Sequence, residues 1–281
     1  MSVRIDRPRA WRLVRALAPG SVPEDGVTRV QDDDVFIEVD ATGGWSTSAP
    51  VDEAARTILD LYLPMRTPRE LVIGQLGQSL DGRIATESGA SHFITGPEDI
   101  ERLHRVRALV DAVVVGATTV VADDPRLTVR LVEGDNPVRV VIDPSRRVRP
   151  ERQVRADGIA RTLLVRRATE EARQADLDGE ELYVPASEDG RLDLRALLDG
   201  LRSLDLRRVL VEGGGLTVSG FLEADLLDRL HVSVAPLLIG SGRPSLALPA
   251  IDRLDEAIRA PCRHFTLGQD VLFDLDLRSR S

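Results

Sequence analysis

The chain has 281 residues, 42% of them apolar and 30% charged, with a formal net charge of −9 and a pI near 5.1. Such an acidic balance excludes broad nucleic-acid or anionic-membrane binding, although a local Arg cluster can still hold a phosphate. All 37 basic residues are Arg and Cys262 is alone, which excludes a Schiff-base or P-loop lysine, a disulfide framework and any cysteine-based metal site within one chain.

Arg4, Arg7, Arg9 and Arg12 are not followed by an uninterrupted apolar run, because Arg15 and Pro19 break it, so no signal peptide is expected. No stretch approaches the roughly 18 apolar residues of a membrane span, and a soluble cytoplasmic protein is the expectation. Residues 1–68 stand apart, with an acidic triplet at Asp32, Asp33 and Asp34, a Thr-Gly-Gly-Trp-Ser-Thr-Ser loop around Trp45 and few strand-like runs. Val51, Ala54, Ala55, Ile58, Leu59 and Tyr62 recur at helical spacing behind Asp52 and Glu53, which predicts a helix over 50–63 ended by Pro64 and Pro68. No chemical motif lies in this segment, which reads as a packed appendage or as a dimerisation or lid element.

From residue 69 strands and helices alternate. Apolar, partly β-branched runs at 71–76, 112–116, 138–142, 162–165, 209–212 and 230–239, and an alternating stretch at 263–277, predict strands, with helices at 97–109, 191–204 and 216–227. Near-continuous apolar strands separated by helices imply an α/β fold with a mostly parallel sheet covered on both faces. The last two strands are expected to add an antiparallel edge. Cys262 is expected to be a half-buried structural thiol.

Three motifs fall just past strands, where open α/β sheets bind ligands. Gly213-Gly214-Gly215 follows Val209-Leu210-Val211-Glu212 and is either a phosphate cradle at a helix N-terminus or a tight turn. Glu212 can accept from the N–H groups of a heterocycle, or cap a neighbouring loop. Asp123, Asp124 and Pro125 follow Gly116-Ala117-Thr118-Thr119 and serve either a substrate or cofactor, or a helix N-cap and turn. Arg130 and Arg107 can converge on one phosphate; taken alone, Arg107 reads as a solvated helix charge. None of the four histidines has Glu two residues on and no Pro-Cys-x-x-Cys occurs, so the zinc nucleobase-deaminase pattern is absent and no metal is expected. His92 and His104 read as surface or capping residues.

The blocks SLDGRIAT, SGASHFITG, HRVRALVDAVVVGATTVVADDPRLTVR, VVIDPS and VLVEGGG, in this order over residues 70–245, resemble the reductase domain of the bifunctional riboflavin-biosynthesis deaminase-reductase, RibD. The resemblance implies a dihydrofolate-reductase-like fold, usually a homodimer. It also implies NADPH-dependent reduction of the ribosyl side chain of a 5-amino-6-(5-phosphoribosylamino)uracil-like substrate to the ribitylamino product. By position it implies NADPH contacts at Gly77, Phe93, Thr119, Asp123, Ser145 and the stretch from Gly214 to Gly220, with Gly215, Leu216 and Thr217 within it, and substrate contacts at Ser91, Arg107, Leu127, Arg130 and Glu212. That reverses the isolated reading of Arg107. Arg146, beside Ser145, is added as a counter-charge for the cofactor's 2′-phosphate, and Asp123 is placed near the reacting carbon.

Two departures from the family stand out. Where the family commonly has Lys four residues before Ser-Leu-Asp-Gly, this chain has Gln75, an amide that cannot release a proton, which leaves the proton donor open. The deaminase region is replaced by the unrelated residues 1–68. A pterin-like or other heterocycle as substrate, and a non-catalytic nucleotide-binding paralogue, are the competing readings. Both retain the fold, and retention of Asp123, Arg130 and Glu212 argues against the second.

Overall fold

The computed structural model describes residues 4–90, 94–169 and 180–279. The chain divides into two compact units, Met1–Leu71 and Val72–Ser281.

In the first unit, α1 (Arg7–Ala16) precedes an antiparallel hairpin of β1 (Val27–Asp32) and β2 (Val35–Asp40), to which β3 (Trp45–Ser46) adds, and α2 (Glu53–Arg66) closes it. Asp6 caps α1 by accepting the N–H of Arg9 at 3.0 Å, and the Trp11 and Tyr62 rings meet edge-on at 5.6 Å in the core. The acidic triplet is the hairpin turn: Asp33 takes φ +52°, and the Asp32 carboxylate, held below its usual range by the hydrogen-bonded Arg12 guanidinium, also receives Arg9. These two strands are not legible as a hairpin because each is short and β1 is half exposed. The helix runs three residues beyond the predicted stop, with Pro64 inside it. A proline there removes only one helical bond near the end, the last turn still closes through Thr67 N–H on Leu63 O at 3.1 Å, and Gly43, lacking a Cβ, lies against the proline ring.

The second unit comprises β4 (Leu71–Ser79), β5 (Arg83–Thr86), α3 (Pro97–Arg107), β6 (Ala112–Gly116), α4 (Ala117–Asp123), β7 (Val138–Ile142), α5 (Gln153–Ala156), β8 (Thr162–Arg167), β9 (Glu181–Val184), α6 (Leu194–Ser203), β10 (Arg208–Glu212), α7 (Gly215–Glu223), β11 (Arg229–Ala235), β12 (Gly242–Pro244), β13 (Cys262–Leu267) and β14 (Asp270–Asp276). Nine strands form one sheet in the order β13-β14-β11-β4-β10-β6-β7-β8-β9, while β5 and β12 pair separately. The pairs β11–β4, β10–β6, β6–β7, β7–β8 and β8–β9 are parallel, while β14 pairs antiparallel with both β11 and β13. This is the expected α/β sheet with an antiparallel edge. The edge is the 262–276 hairpin alone, for β11 runs parallel to β4. Nor does β11 reach residue 239: Leu80 N–H pairs with Leu237 O at 2.9 Å and Asp81 receives the N–H groups of Ile239 and Gly240, drawing that segment off the sheet.

One face of the sheet carries the apolar core, where Leu76, Val114, Val140, Val165 and Val211 pack against Leu197, Leu201, Val218 and Phe221 of α6 and α7. Burying branched apolar side chains on this scale is the main stabilising term. The other face also buries apolar side chains, among them Ile73, Val113, Val115, Val141 and Leu210, and carries a polar patch under α3. Gln75 of β4 stands in register with His231 of β11, and Arg102 of α3 bonds both, through Nη2 to Gln75 Oε1 at 2.7 Å and through Nη1 to His231 Nδ1 at 3.1 Å. Arg102 also meets Asp99 at 2.7 Å, which accepts from Ser233. Beyond His231 lies the fully buried Asp274 carboxylate, gripped by Arg229 at 2.7 Å and Arg263 at 2.6 Å. Those cations and the His231 contact hold Asp274 far below its usual pKa against the burial that would raise it. Cys262, contrary to expectation, is exposed, because β13 is the sheet's outer strand.

Asp274→Asn would leave two guanidinium groups without their shared carboxylate, and removing one partner of a buried pair costs about 3–5 kcal/mol. The expected result is a matching fall in unfolding free energy by urea titration followed by circular dichroism. A loss below about 1 kcal/mol would show that the cluster contributes no more than a surface pair.

Candidate active site

Parallel strands β4, β6, β7 and β10 end on the same edge of the sheet, so the residues that follow them converge there. Past β10, Gly213 takes φ +111°, Gly214 caps α7, and a Cβ on Gly215 would run into the carbonyl oxygen of Ser245. Gly214 N–H donates to Thr119 Oγ1 at 3.1 Å, and Gly213 packs on the same threonine, which ties α7 to α4. Leu216 is 80% exposed, and Thr217 N–H returns to Gly214 O at 3.0 Å. The result is a helix N-terminus stripped of side chains and open to a ligand, suited to a pyrophosphate by its N–H groups and dipole. Gly77, on β4, faces Thr95, where a Cβ would be 3.0 Å from Cγ2.

Past β7, Asp143 is fully buried and accepts the N–H groups of Arg147 at 2.8 Å and Val148 at 3.0 Å, shaping a turn that presents Ser145 exposed. Arg146 takes φ +54° there and turns away, forking onto Glu181 at 3.0 and 3.2 Å. Its charge is matched by Glu181 in this arrangement. Arg147 is the guanidinium that leans back toward α4, donating to Thr118 Oγ1 at 2.9 Å. Two adjacent arginines cannot be told apart in sequence, since the difference lies in the left-handed backbone of Arg146 itself.

The second wall is built by α3 and the segment after α4. Arg107 forks onto Glu212 of β10, through Nε to Oε2 at 2.9 Å and through Nη2 to Oε1, and its Nη1 donates to Thr128 O at 3.2 Å. Both side chains are largely buried. Arg107 is thus neither a solvated charge nor a free phosphate anchor; it fixes Glu212. Arg130 is exposed and has no carboxylate partner among the described residues, and its pKa is lowered by burial of part of the side chain and by Arg107 and Arg126. Leu127 is buried with φ +56°. Asp123 ends α4, exposed and without a hydrogen-bond or ion-pair partner among the described residues; Asp124 closes that helix in the left-handed region, so this corner ends a helix rather than starting one.

Gln75 is 5% exposed, and its carbonyl oxygen is engaged by Arg102. A cation therefore does sit beside this strand position, supplied by the helix. His104, expected at the surface, is buried. Ser91, His92 and Phe93 lie outside the described residues. Among the described residues no cluster of side chains could hold a metal ion, and no helix is long and apolar enough to cross a membrane.

Residues 70–272 match the model of the RibD C-terminal domain. The chain belongs to that family. It is 38% identical over 217 residues to the 2,5-diamino-6-ribosylamino-4(3H)-pyrimidinone 5′-phosphate reductase of Methanothermobacter thermautotrophicus, covering 75% of this chain and 99% of that protein. It is 35% identical to the riboflavin biosynthesis protein RibD of Escherichia coli, over 75% of this chain but 61% of that longer protein. Among solved structures, Acinetobacter baumannii RibD superposes with a TM-score of 0.64 at 25% identity, over 83% of this chain and 66% of that one.

Removing the Arg107 side chain as Arg107→Leu strands a buried carboxylate at Glu212, with an expected cost of about 3–5 kcal/mol. The double variant Arg107→Leu/Glu212→Leu should recover most of that in urea titration, because an apolar pair of similar volume needs no desolvation, while substrate binding stays lost. Two additive losses would contradict the pairing.

Proposed function

We propose that this chain is an NADPH-dependent reductase of a phosphoribosylaminopyrimidine, working as a cytoplasmic homodimer. The observation that carries the reading is the juxtaposition at one sheet edge of a glycine-built helix N-terminus with a wall that pairs a buried Arg107–Glu212 fork with an unpaired Arg130. The substrate form is that in the name of the archaeal reductase whose length is matched almost entirely, the 2,5-diamino pyrimidinone 5′-phosphate.

The residues present fit the cofactor: at Gly213 and Gly215 a side chain would collide with the walls of the cradle. Gly214, Gly215, Leu216 and Thr217 would hold the pyrophosphate, Gly77 and Thr119 would line the path beside it, and Ser145 with Arg147 would meet the 2′-phosphate. When bound, the cofactor supplies a hydride. The chain supplies position and charge. Glu212 accepts the ring's N–H groups with the lone pairs that Arg107 leaves free, and Arg130 anchors the 5′-phosphate. Asp123, whose carboxylate is free, orders a water or sugar hydroxyl beside the side-chain carbon that is reduced. Gln75, with Oε1 on Arg102, has only its amide N–H groups to offer, so the proton needed at the substrate nitrogen comes from that water.

The pairing into dimers is supported by Leu248, Ile251, Leu254 and Ile258, exposed together in the stretch before the outer strand β13. A lone, unpaired Cys262 accords with a reducing compartment.

Purified protein with NADPH and the diamino pyrimidinone phosphate should consume nicotinamide absorbance and yield the ribitylamino compound. Tight NADPH binding without turnover on either the diamino or the uracil form would refute the substrate assignment. Arg147→Ala should cut the preference for NADPH over NADH by about 10–100-fold, the worth of one charge-assisted contact, whereas Arg146→Ala should leave it unchanged. The reverse pattern would return the 2′-phosphate to Arg146.

A further inference from the structure

The segment that carries Arg130 is held by side chains from outside it at three successive residues. Thr128 O accepts from Arg107 Nη1 at 3.2 Å, Val129 N–H donates to Asn136 Oδ1 at 2.7 Å, and Arg130 N–H donates to His104 Nδ1 at 3.0 Å. Leu127, just before, is buried in the left-handed region, a conformation a leucine takes only where its surroundings impose it. His104 and Arg107 sit one turn apart on α3, so a single helix grips both ends of this short run.

His104 is 1% exposed. Accepting at Nδ1 places its proton on Nε2, and that buried atom has no partner among the described residues. A buried donor left unsatisfied is costly, and an apolar side chain would fill the space without that cost. What the imidazole adds is the acceptor for Arg130. Burial, with Arg107 and Arg130 nearby, pushes the ring's pKa down to about 4, so that Nδ1 remains an acceptor at neutral pH.

We propose that His104 is a positioning residue for the substrate's phosphate: it fixes the main chain of Arg130 and so aims that guanidinium at the anion. This rests on the reading that Arg130 is the phosphate anchor. Arg107 and Arg126 repel Arg130, only partly offset by Glu212, and a phosphate relieves that repulsion only if the guanidinium is held toward it.

The test is calorimetric binding, without cofactor and so without turnover, of the diamino pyrimidinone ribosyl phosphate and of its dephosphorylated form. Wild type should prefer the phosphorylated form, and Arg130→Gln should abolish that preference. His104→Gln, polar but with its acceptor displaced by an atom, should reduce the preference about tenfold, the worth of one hydrogen bond. His104→Asn, whose Oδ1 occupies the place of Nδ1, should keep it, and all variants should bind the dephosphorylated form alike. A preference kept in His104→Gln, or lost equally in His104→Asn, overturns the proposal while the phosphate role of Arg130 stands. Equal binding of both forms by wild type removes that role, and this proposal with it.

Discussion

The buried fork between Arg107 and Glu212 is the constraint on which this wall of the candidate site depends. A largely buried carboxylate at the end of a parallel strand is stable only with a partner, and that partner must come from another element. Here it comes from α3, through two nitrogens of one guanidinium, and the third nitrogen reaches on to Thr128 O. The same contact that neutralises Glu212 therefore fastens the segment bearing Arg130. Charge compensation and site geometry are one interaction, and neither the helix nor the segment can shift without exposing a buried charge.

The same logic extends along α3. Arg102 reaches the sheet's centre at Gln75 and His231, His104 reaches Arg130, and Arg107 reaches Glu212. The helix is less an apolar cover than a polar clamp, in contrast to the opposite face, where α6 and α7 bury Leu and Val side chains. The asymmetry has a functional sense. Apolar packing supplies stability without direction, while the directional hydrogen bonds under α3 fix Gln75, Glu212 and the main chain of Arg130.

Much of the second unit was legible in sequence because its strands are continuous apolar runs that only a doubly covered parallel sheet can bury. The helix α3 was legible too, but not its partners: Arg107 alone looks like a solvated charge, and only the fold shows that it faces Glu212 across 105 positions of sequence. The resemblance to a known reductase implies a substrate contact at Arg107; the structure shows that the guanidinium holds Glu212. Sequence does not separate Arg146 from Arg147, because the left-handed backbone of Arg146 sends the first to Glu181 and the second to Thr118. For His104 the sequence leaves a surface ring and a capping residue open, and the structure shows a buried acceptor for the Arg130 N–H. The hairpin of the first unit was missed for want of apolar alternation on both strands.

The central claim is that the sheet edge brings a hydride donor to the ribosyl side chain of a pyrimidine held by Glu212 and Arg130. Isotope tracing tests it most directly, with NADPH deuterated at the nicotinamide reducing carbon and the product examined by NMR and mass spectrometry. The account predicts deuterium at the side-chain carbon that joined the sugar to the amine, with the pyrimidine ring unlabelled. Deuterium in the ring, or turnover without label in the product, would contradict it.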